Sequence, residues 1–111
     1  MKSLAMALVS LFLLPASVAN ASNITPIDGL QRGTMVTVQG VVDRIPDEDE
    51  FVLRDATGSV EIYVGPNWVP VDVGEQITVE GFVDDGIFIE IYAREIRRAN
   101  GQTVTIERRY D

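Results

Sequence analysis

The chain of 111 residues has no cysteine and no histidine. Without cysteine no disulfide can hold the fold together, and a lipoprotein anchor, which requires an acylated cysteine, is excluded. Without histidine, ordinary zinc sites and catalytic triads lose their central residue. Ser59 has no G-x-S-x-G context that would mark it as a nucleophile. The sequence therefore predicts a protein that is not an enzyme and that uses no cofactor or catalytic metal.

Positive charge is also scarce, because Lys2 is the sole lysine and the net charge is −8. Aromatic residues make up only 7% of the chain, so few side chains are available to stack on bases. Non-specific affinity for nucleic acids comes mainly from cationic side chains that displace counterions. This composition therefore disfavours a nucleic-acid-binding function, and it disfavours adsorption to anionic membranes for the same reason.

The first 21 residues form a distinct segment. Met1 and Lys2 are followed by an almost unbroken apolar run over 3–14, and Ala19 and Ala21 stand in the A-x-A relation that signal peptidase accepts. The run is short for a hydrocarbon core of ~30 Å, and no second hydrophobic stretch follows. We expect a cleaved signal peptide over 1–21 and no transmembrane segment after cleavage. The alternative is a retained N-terminal anchor.

The mature part, about 90 residues from Ser22 onward, is the size of one small domain. A lead-in over 22–33 precedes alternating apolar positions that predict five main strands over 34–99. Gly40 interrupts the first strand and predicts a bend there. Asp84-Asp85-Gly86 predicts a tight hairpin whose second strand starts at Ile87, and Asn100-Gly101 predicts another turn before a hairpin strand or arm over 100–111.

The predicted fold class is all-β. Five strands with a proline-containing break between the third and fourth favour a small Greek-key barrel, because closure removes the edges at which molecules would otherwise pair. A short extra C-terminal strand fits beside it. The alternative, an immunoglobulin-type sandwich, usually needs about seven strands and about 100 residues.

A pattern across the middle of the chain resembles a known family. It consists of a glycine, an aromatic-x-aliphatic-x-Asp-x-x-Gly stretch, one tryptophan and an aliphatic strand ending in Gly-x-Val-Asp, here Gly40, residues 51–58, Trp68 and residues 81–84. Over about 30–98 the chain is similar to the bacterial OB-fold (BOF) family, the YgiW/YdeI-type periplasmic stress-tolerance proteins. The resemblance implies a five-stranded OB-fold barrel in the periplasm, with a role in stress tolerance. The turn at 84–88 and the tail at 100–111 depart from the family pattern.

OB folds usually bind ligands on the exposed face of strands two and three. If Phe51 and Leu53 point inward, the candidate ligand-binding residues on that face are Val52, Arg54, Glu61 and Tyr63. A protein that binds single-stranded nucleic acid would usually have more aromatic and cationic residues there than one tyrosine and one arginine. The face is either an ordinary solvated surface or a contact for a small molecule, peptide or protein.

Trp68 is a further candidate, between Pro66 and Pro70. The favoured interpretation is a buried plug of the barrel that removes about 200 Å² from water, and the alternative is a stacking platform for a ligand.

Two sets of charged residues are the remaining candidate binding sites. The run over 47–50 is interpreted as a solvated turn, with calcium binding and attraction of cationic peptides as alternatives. The EF-hand template fails there, because Val52 occupies the position of the loop glycine. Five arginines near the C-terminus either pair with carboxylates such as Glu90, Glu95 and Glu107 or form a patch for an anionic partner; these are Arg94, Arg97, Arg98, Arg108 and Arg109.

Taken together, the sequence predicts an exported, non-catalytic OB-fold protein that recognises a cell-envelope component or a partner protein in stress tolerance. The alternatives are a nucleic-acid-binding OB module and a divalent-cation-binding protein. The oligomeric state is not predicted.

Overall fold

The structure, a computed structural model, describes residues 23–107. The predicted signal peptide over 1–21 lies outside the described residues, as do Ser22 and residues 108–111. A short 3-10 turn at Ile27–Gly29 precedes six strands: β1 (Met35–Asp47), β2 (Glu50–Asp55), β3 (Gly58–Tyr63), β4 (Gln76–Val83), β5 (Glu90–Arg97) and β6 (Thr103–Thr105).

The strands close into a ring. Their order is β3-β2-β1-β4-β5-β6, and a parallel pairing between β3 and β5 completes a five-stranded barrel that leaves β6 outside, paired to β5. The predicted Greek-key OB-fold barrel with an extra C-terminal strand is therefore confirmed. At the β5–β6 turn Gly101 has a φ of 91°, the conformation for which the Asn-Gly pair is suited.

β1 is long enough to serve both sides of the ring. Its first half pairs with β4, from Met35 opposite Phe82 to Val41 opposite Gln76, and its second half pairs with β2. Where the two halves meet, a Cβ on Gly40 would overlap the carbonyl oxygen of Arg54. The glycine therefore permits a close approach of β2. The pairing of β1 with β4 is regular through Gly40, and the register shifts of β1 against β2 lie further along, between Val42 and Asp47, so the predicted bend at Gly40 stays a prediction.

The core is filled by alternate residues of every strand in the ring. Its largest fully buried side chains are Phe51, Leu53, Ile62, Ile77, Ile91 and Ile96. Each such side chain contributes about 1.5–3 kcal/mol by leaving water. Because the chain has no disulfide, this packing is the principal source of stability.

The lead-in segment belongs to the barrel. Ile27 is buried in the core at the end where the β2–β3 turn lies, and its N–H donates to Asp55 Oδ2 at 3.0 Å. Asp55 Oδ1 accepts from the N–H groups of Thr57 and Gly58. Burial opposes ionisation of Asp55, but these bonds and that from the Thr57 hydroxyl outweigh it and lower the pKa of the carboxyl.

The opposite end of the barrel is closed by the connection between β3 and β4. The residues that close it are not the predicted Trp68. Trp68 is 75% exposed, so the favoured interpretation of it as a buried plug is wrong. Val64 and Val71 are buried there instead. The N–H of Val64 donates to the Asp49 carbonyl, and the N–H of Asn67 donates to the Val64 carbonyl in a turn that precedes the exposed tryptophan.

The predicted form of the β4–β5 connection is also wrong. The predicted hairpin at Asp84-Asp85-Gly86 is a six-residue loop, since β4 ends at Val83 and β5 begins at Glu90. Gly86 is not among the glycines with positive φ, which a primed turn would require. The loop is held by Arg32, whose guanidinium donates to the carbonyls of Gly86 and Ile87 at 2.8 and 2.9 Å.

Candidate functional site

The outer face of β2 and β3 has the predicted alternation. Phe51 and Leu53 belong to the core, whereas Val52 lies outside the core cluster and Arg54 and Glu61 are exposed. Four residues are aligned by the register across the neighbouring strands β1, β2, β3 and β5. Arg44 pairs with Val52, Val52 pairs with Glu61, and Glu61 pairs with Glu90. A single row across the outer face therefore runs from a cation, over an apolar residue, to two carboxylates.

A concave site lies along this row, with a volume of about 590 Å³. We call it the β2–β3 groove; its lining residues are Arg44, Val52, Ser59, Val60, Glu61, Phe88, Ile89 and Glu90. Val52 is only 4% exposed although it faces outward, so it forms a covered part of the groove. The β4–β5 loop supplies Phe88 and Ile89. Two of the five predicted ligand-binding residues, Val52 and Glu61, line the groove.

The other three predicted ligand-binding residues do not line it. Arg54 lies on the same face and its Nε approaches Asp43 Oδ1 at 3.3 Å, in an exposed pair. Tyr63 packs edge-on against Tyr92, with ring centroids 5.8 Å apart and planes at 69°, so part of its ring surface is occupied. Trp68 is exposed in the β3–β4 connection. A ligand-binding role for each of these residues stays a prediction.

Three carboxylates converge beside the groove. Side-chain oxygens of Glu50, Glu61 and Glu90 all lie within 4.8 Å of one another. Burial raises the pKa of Glu50, and repulsion from neighbouring carboxylates, Glu61 foremost, raises it further. Burial likewise raises the pKa of Glu90, with added repulsion from Glu50 and Glu61. Within residues 23–107, no arginine forms an ion pair with any of the three. We call them the glutamate cluster.

The glutamate cluster differs from the acidic run that the sequence singled out. Only Glu50 of the run over 47–50 belongs to it, while Asp47 and Glu48 are exposed at the β1–β2 turn. The interpretation of the run as a solvated turn therefore holds for Asp47 and Glu48, whereas Asp49 and Glu50 are half-buried. Oxygens of the cluster are suitable ligands for a divalent cation, but three are fewer than the six to eight that calcium takes.

Of the five arginines in the predicted patch, the structure shows ion-pair partners for Arg98. Arg98 donates to Glu75 Oε1 and Oε2 at 2.8 and 2.9 Å and approaches Asp72 at 3.4 Å, so it stabilises the fold through partners other than those predicted. Its hydrogen bonds lower the pKa of Glu75 to about 2, against the opposing effect of burial. Arg94 and Arg97 are exposed and make no ion pair within the described part of the chain. Arg108 and Arg109 lie outside the described residues.

The sequence interpretation missed most of the groove wall. Phe88 and Ile89 were assigned to a strand, and Arg44, Ser59 and Glu90 were not connected with the site. One signal was available: the consecutive apolar residues 87–89 break the period of two that a half-exposed strand shows. The convergence of β3 with β5 has no such local signal.

Comparisons with known proteins agree with this architecture. The family model described as "Bacterial OB fold (BOF) protein" matches residues 16–106, most of the chain. A solved structure described as the hypothetical protein ygiW from E. coli is similar, with 26% identity, a TM-score of 0.58, and coverage of 68% of this chain and 89% of that one. No curated protein matches at a significant level. In residues 23–107 there is no helix long and apolar enough to cross a membrane. With the match over residues 16–106 and the closed five-stranded ring, the chain belongs to the bacterial OB-fold (BOF) family.

Proposed function

We propose that this chain is a non-catalytic periplasmic binding protein that holds a cell-envelope component or a partner protein in the β2–β3 groove, as part of stress tolerance. The observation that carries the proposal is the groove itself, which lies on the face that OB folds use for binding. Its lining combines apolar residues with polar and charged ones in about equal number, so it offers both packing surface and groups that fix the orientation of a ligand.

The chemistry of the chain favours binding over turnover. Histidine and cysteine are absent from the sequence, and the polar residues that line the groove are Arg44, Ser59, Glu61 and Glu90. The same lining argues against nucleic acid, since it has one arginine and two carboxylates, with Glu50 of the cluster close beside them, and this balance repels a phosphate backbone. We therefore place a protein or envelope ligand ahead of the nucleic-acid alternative.

Site-specific photo-crosslinking in intact cells tests the groove. A benzophenone amino acid replaces Phe88 in the full chain, and a matched variant carries it at Val73, which is also exposed but lies outside the groove. We expect discrete crosslinked species from position 88 that are missing from position 73. The same pattern from both positions, or none from either, would contradict the proposal.

The export part of the proposal needs its own experiment. We expect cell fractionation to recover the protein in the periplasm with an N-terminus near Ser22. Ala21→Arg should block processing, because signal peptidase accepts only small side chains at the cleavage site. A cytosolic protein that retains Met1 would show that the export proposal is wrong while leaving the groove experiment unaffected.

A further inference from the structure

The wall of the β2–β3 groove exposes apolar surface. Phe88 of the β4–β5 loop lines the groove together with the covered Val52 and is 82% exposed, and its neighbour Ile87, which does not line the groove, is 84% exposed. Exposed apolar residues that adjoin a concave site are typical of a contact surface for a partner. Arg32 holds the loop backbone through the Gly86 and Ile87 carbonyls, so little order has to be imposed on the loop when a partner binds.

One end of the groove is acidic. Glu61 and Glu90 line this end, and Glu50 completes the glutamate cluster within 4.8 Å. Carboxylates held this close repel one another, and a positively charged group placed among them would relieve that repulsion. Arg44 stands at the other end of the row, three strand spacings or about 14 Å away.

We propose that the β2–β3 groove binds a peptide segment in which a lysine or arginine adjoins a bulky apolar residue. The basic side chain meets the glutamate cluster, and the apolar side chain packs on Val52 and Phe88. Arg44 favours a carboxylate of the peptide at the opposite end. About four extended residues span the row. The inference rests on the proposed function and specifies the chemistry of the partner.

Fluorescence anisotropy with designed peptides tests this chemistry. The probe is a fluorescein-labelled peptide of alternating lysine and leucine with a free C-terminal carboxylate; the controls replace every lysine by glutamate or every leucine by serine. We expect saturable binding of the lysine–leucine peptide to the mature protein and at least about tenfold weaker binding of either control, because both kinds of contact contribute.

Protein variants locate the site. Glu61→Gln and Phe88→Ser should each weaken binding about five- to tenfold. Their matched controls, Glu80→Gln on β4 and Val73→Ser in the β3–β4 connection, are exposed residues outside the groove and should leave the affinity within about twofold. Circular dichroism melting of each variant ensures that a weakened affinity reflects the site and not unfolding.

Several outcomes would overturn the inference. Binding that weakens with Glu61→Gln but not with Phe88→Ser would indicate a general attraction to acidic surface. A calcium-induced rise in melting temperature that Glu61→Gln abolishes, without peptide binding, would assign the cluster to a cation. If no peptide binds although crosslinks form at position 88 in cells, the peptide chemistry is wrong and the proposed function stands.

Discussion

At the residue scale, the pair of Arg98 and Glu75 has the clearest energetic role. Glu75 is 11% exposed and accepts hydrogen bonds from Arg98 as well as from the N–H groups of Asp72 and Ala99. A carboxylate with this many donors fixes the segment before β4 to the end of β5. Exposed ion pairs contribute little, but hydrogen bonds to a charged group that is largely buried contribute more.

Removing the charge of Glu75 is expected to destabilise the fold. Glu75→Gln keeps the side-chain size but replaces one acceptor by a donor that faces Arg98. We expect the free energy of unfolding to fall by about 1–3 kcal/mol in urea denaturation. Glu80→Gln, an exposed glutamate on β4, should change it by less than about 0.5 kcal/mol. Equal effects of the two substitutions would contradict the role of the pair.

The carboxyl groups also predict how stability depends on pH. The pKa of Glu75 falls from 4.5 to about 2 on folding, and that of Asp55 is lowered as well, so their contribution is present above about pH 4.5 and is lost as the pH falls toward 2. Glu50 and Glu90 act in the opposite direction, because their raised pKa values mean that protonation favours the folded state.

We therefore expect the melting temperature to rise slightly on mild acidification and then to fall below about pH 4.5. Calorimetry at constant ionic strength measures the profile. Glu50→Gln should reduce the initial rise, and Glu75→Gln should flatten the acid limb. A melting temperature that decreases steadily from neutral pH in both the parent and Glu50→Gln would contradict the opposing effects.

At the scale of elements, β1 pairs with two different strands of the ring, and a glycine lies where its partners change. β1 exchanges its partner from β4 to β2 around Gly40, where the Arg54 carbonyl lies against the glycine Cα. A side chain at this position would separate the two strands. Close pairing of β1 with β2 therefore requires a residue without a side chain at position 40.

Gly40→Ala should destabilise the barrel by about 1–3 kcal/mol or more, as overpacking of a tight contact does. Gly58→Ala is the matched control, because its Cβ would lie 3.7 Å from Ile27 Cγ2, an ordinary contact, and its φ is not positive. Urea denaturation of both variants measures the difference. A Gly40→Ala variant as stable as the control would show that β2 does not approach so closely.

At the scale of the whole molecule, a small barrel without disulfides depends on closing both of its ends. The β3–β4 connection closes one end with Val64 and Val71, and Ile27 closes the other from a segment that precedes the first strand. The lead-in is therefore a structural part of the domain, and the domain that folds includes residues before position 34.

Ile27→Ala tests the closure by the lead-in. We expect a loss of about 2–4 kcal/mol, because the substitution removes three carbons from a buried site and leaves a cavity. Ile87→Ala, at a position that is almost fully exposed, should cost less than about 0.5 kcal/mol. If both variants unfold at the same urea concentration, Ile27 does not close the barrel.

Local pattern in the sequence was enough to predict most of the strands, the Asn-Gly turn and the alternation that places Phe51 and Leu53 in the core, because each depends on neighbouring residues and on backbone geometry. The glutamate cluster was decided only by the tertiary structure, since the parallel pairing of β3 with β5 brings together Glu61 and Glu90, which are distant in sequence. The exposure of Trp68 and the choice of Glu75 as the partner of Arg98 were decided in the same way. These features depend on how separate segments pack around a closed ring, and no local property of the residues specifies that arrangement.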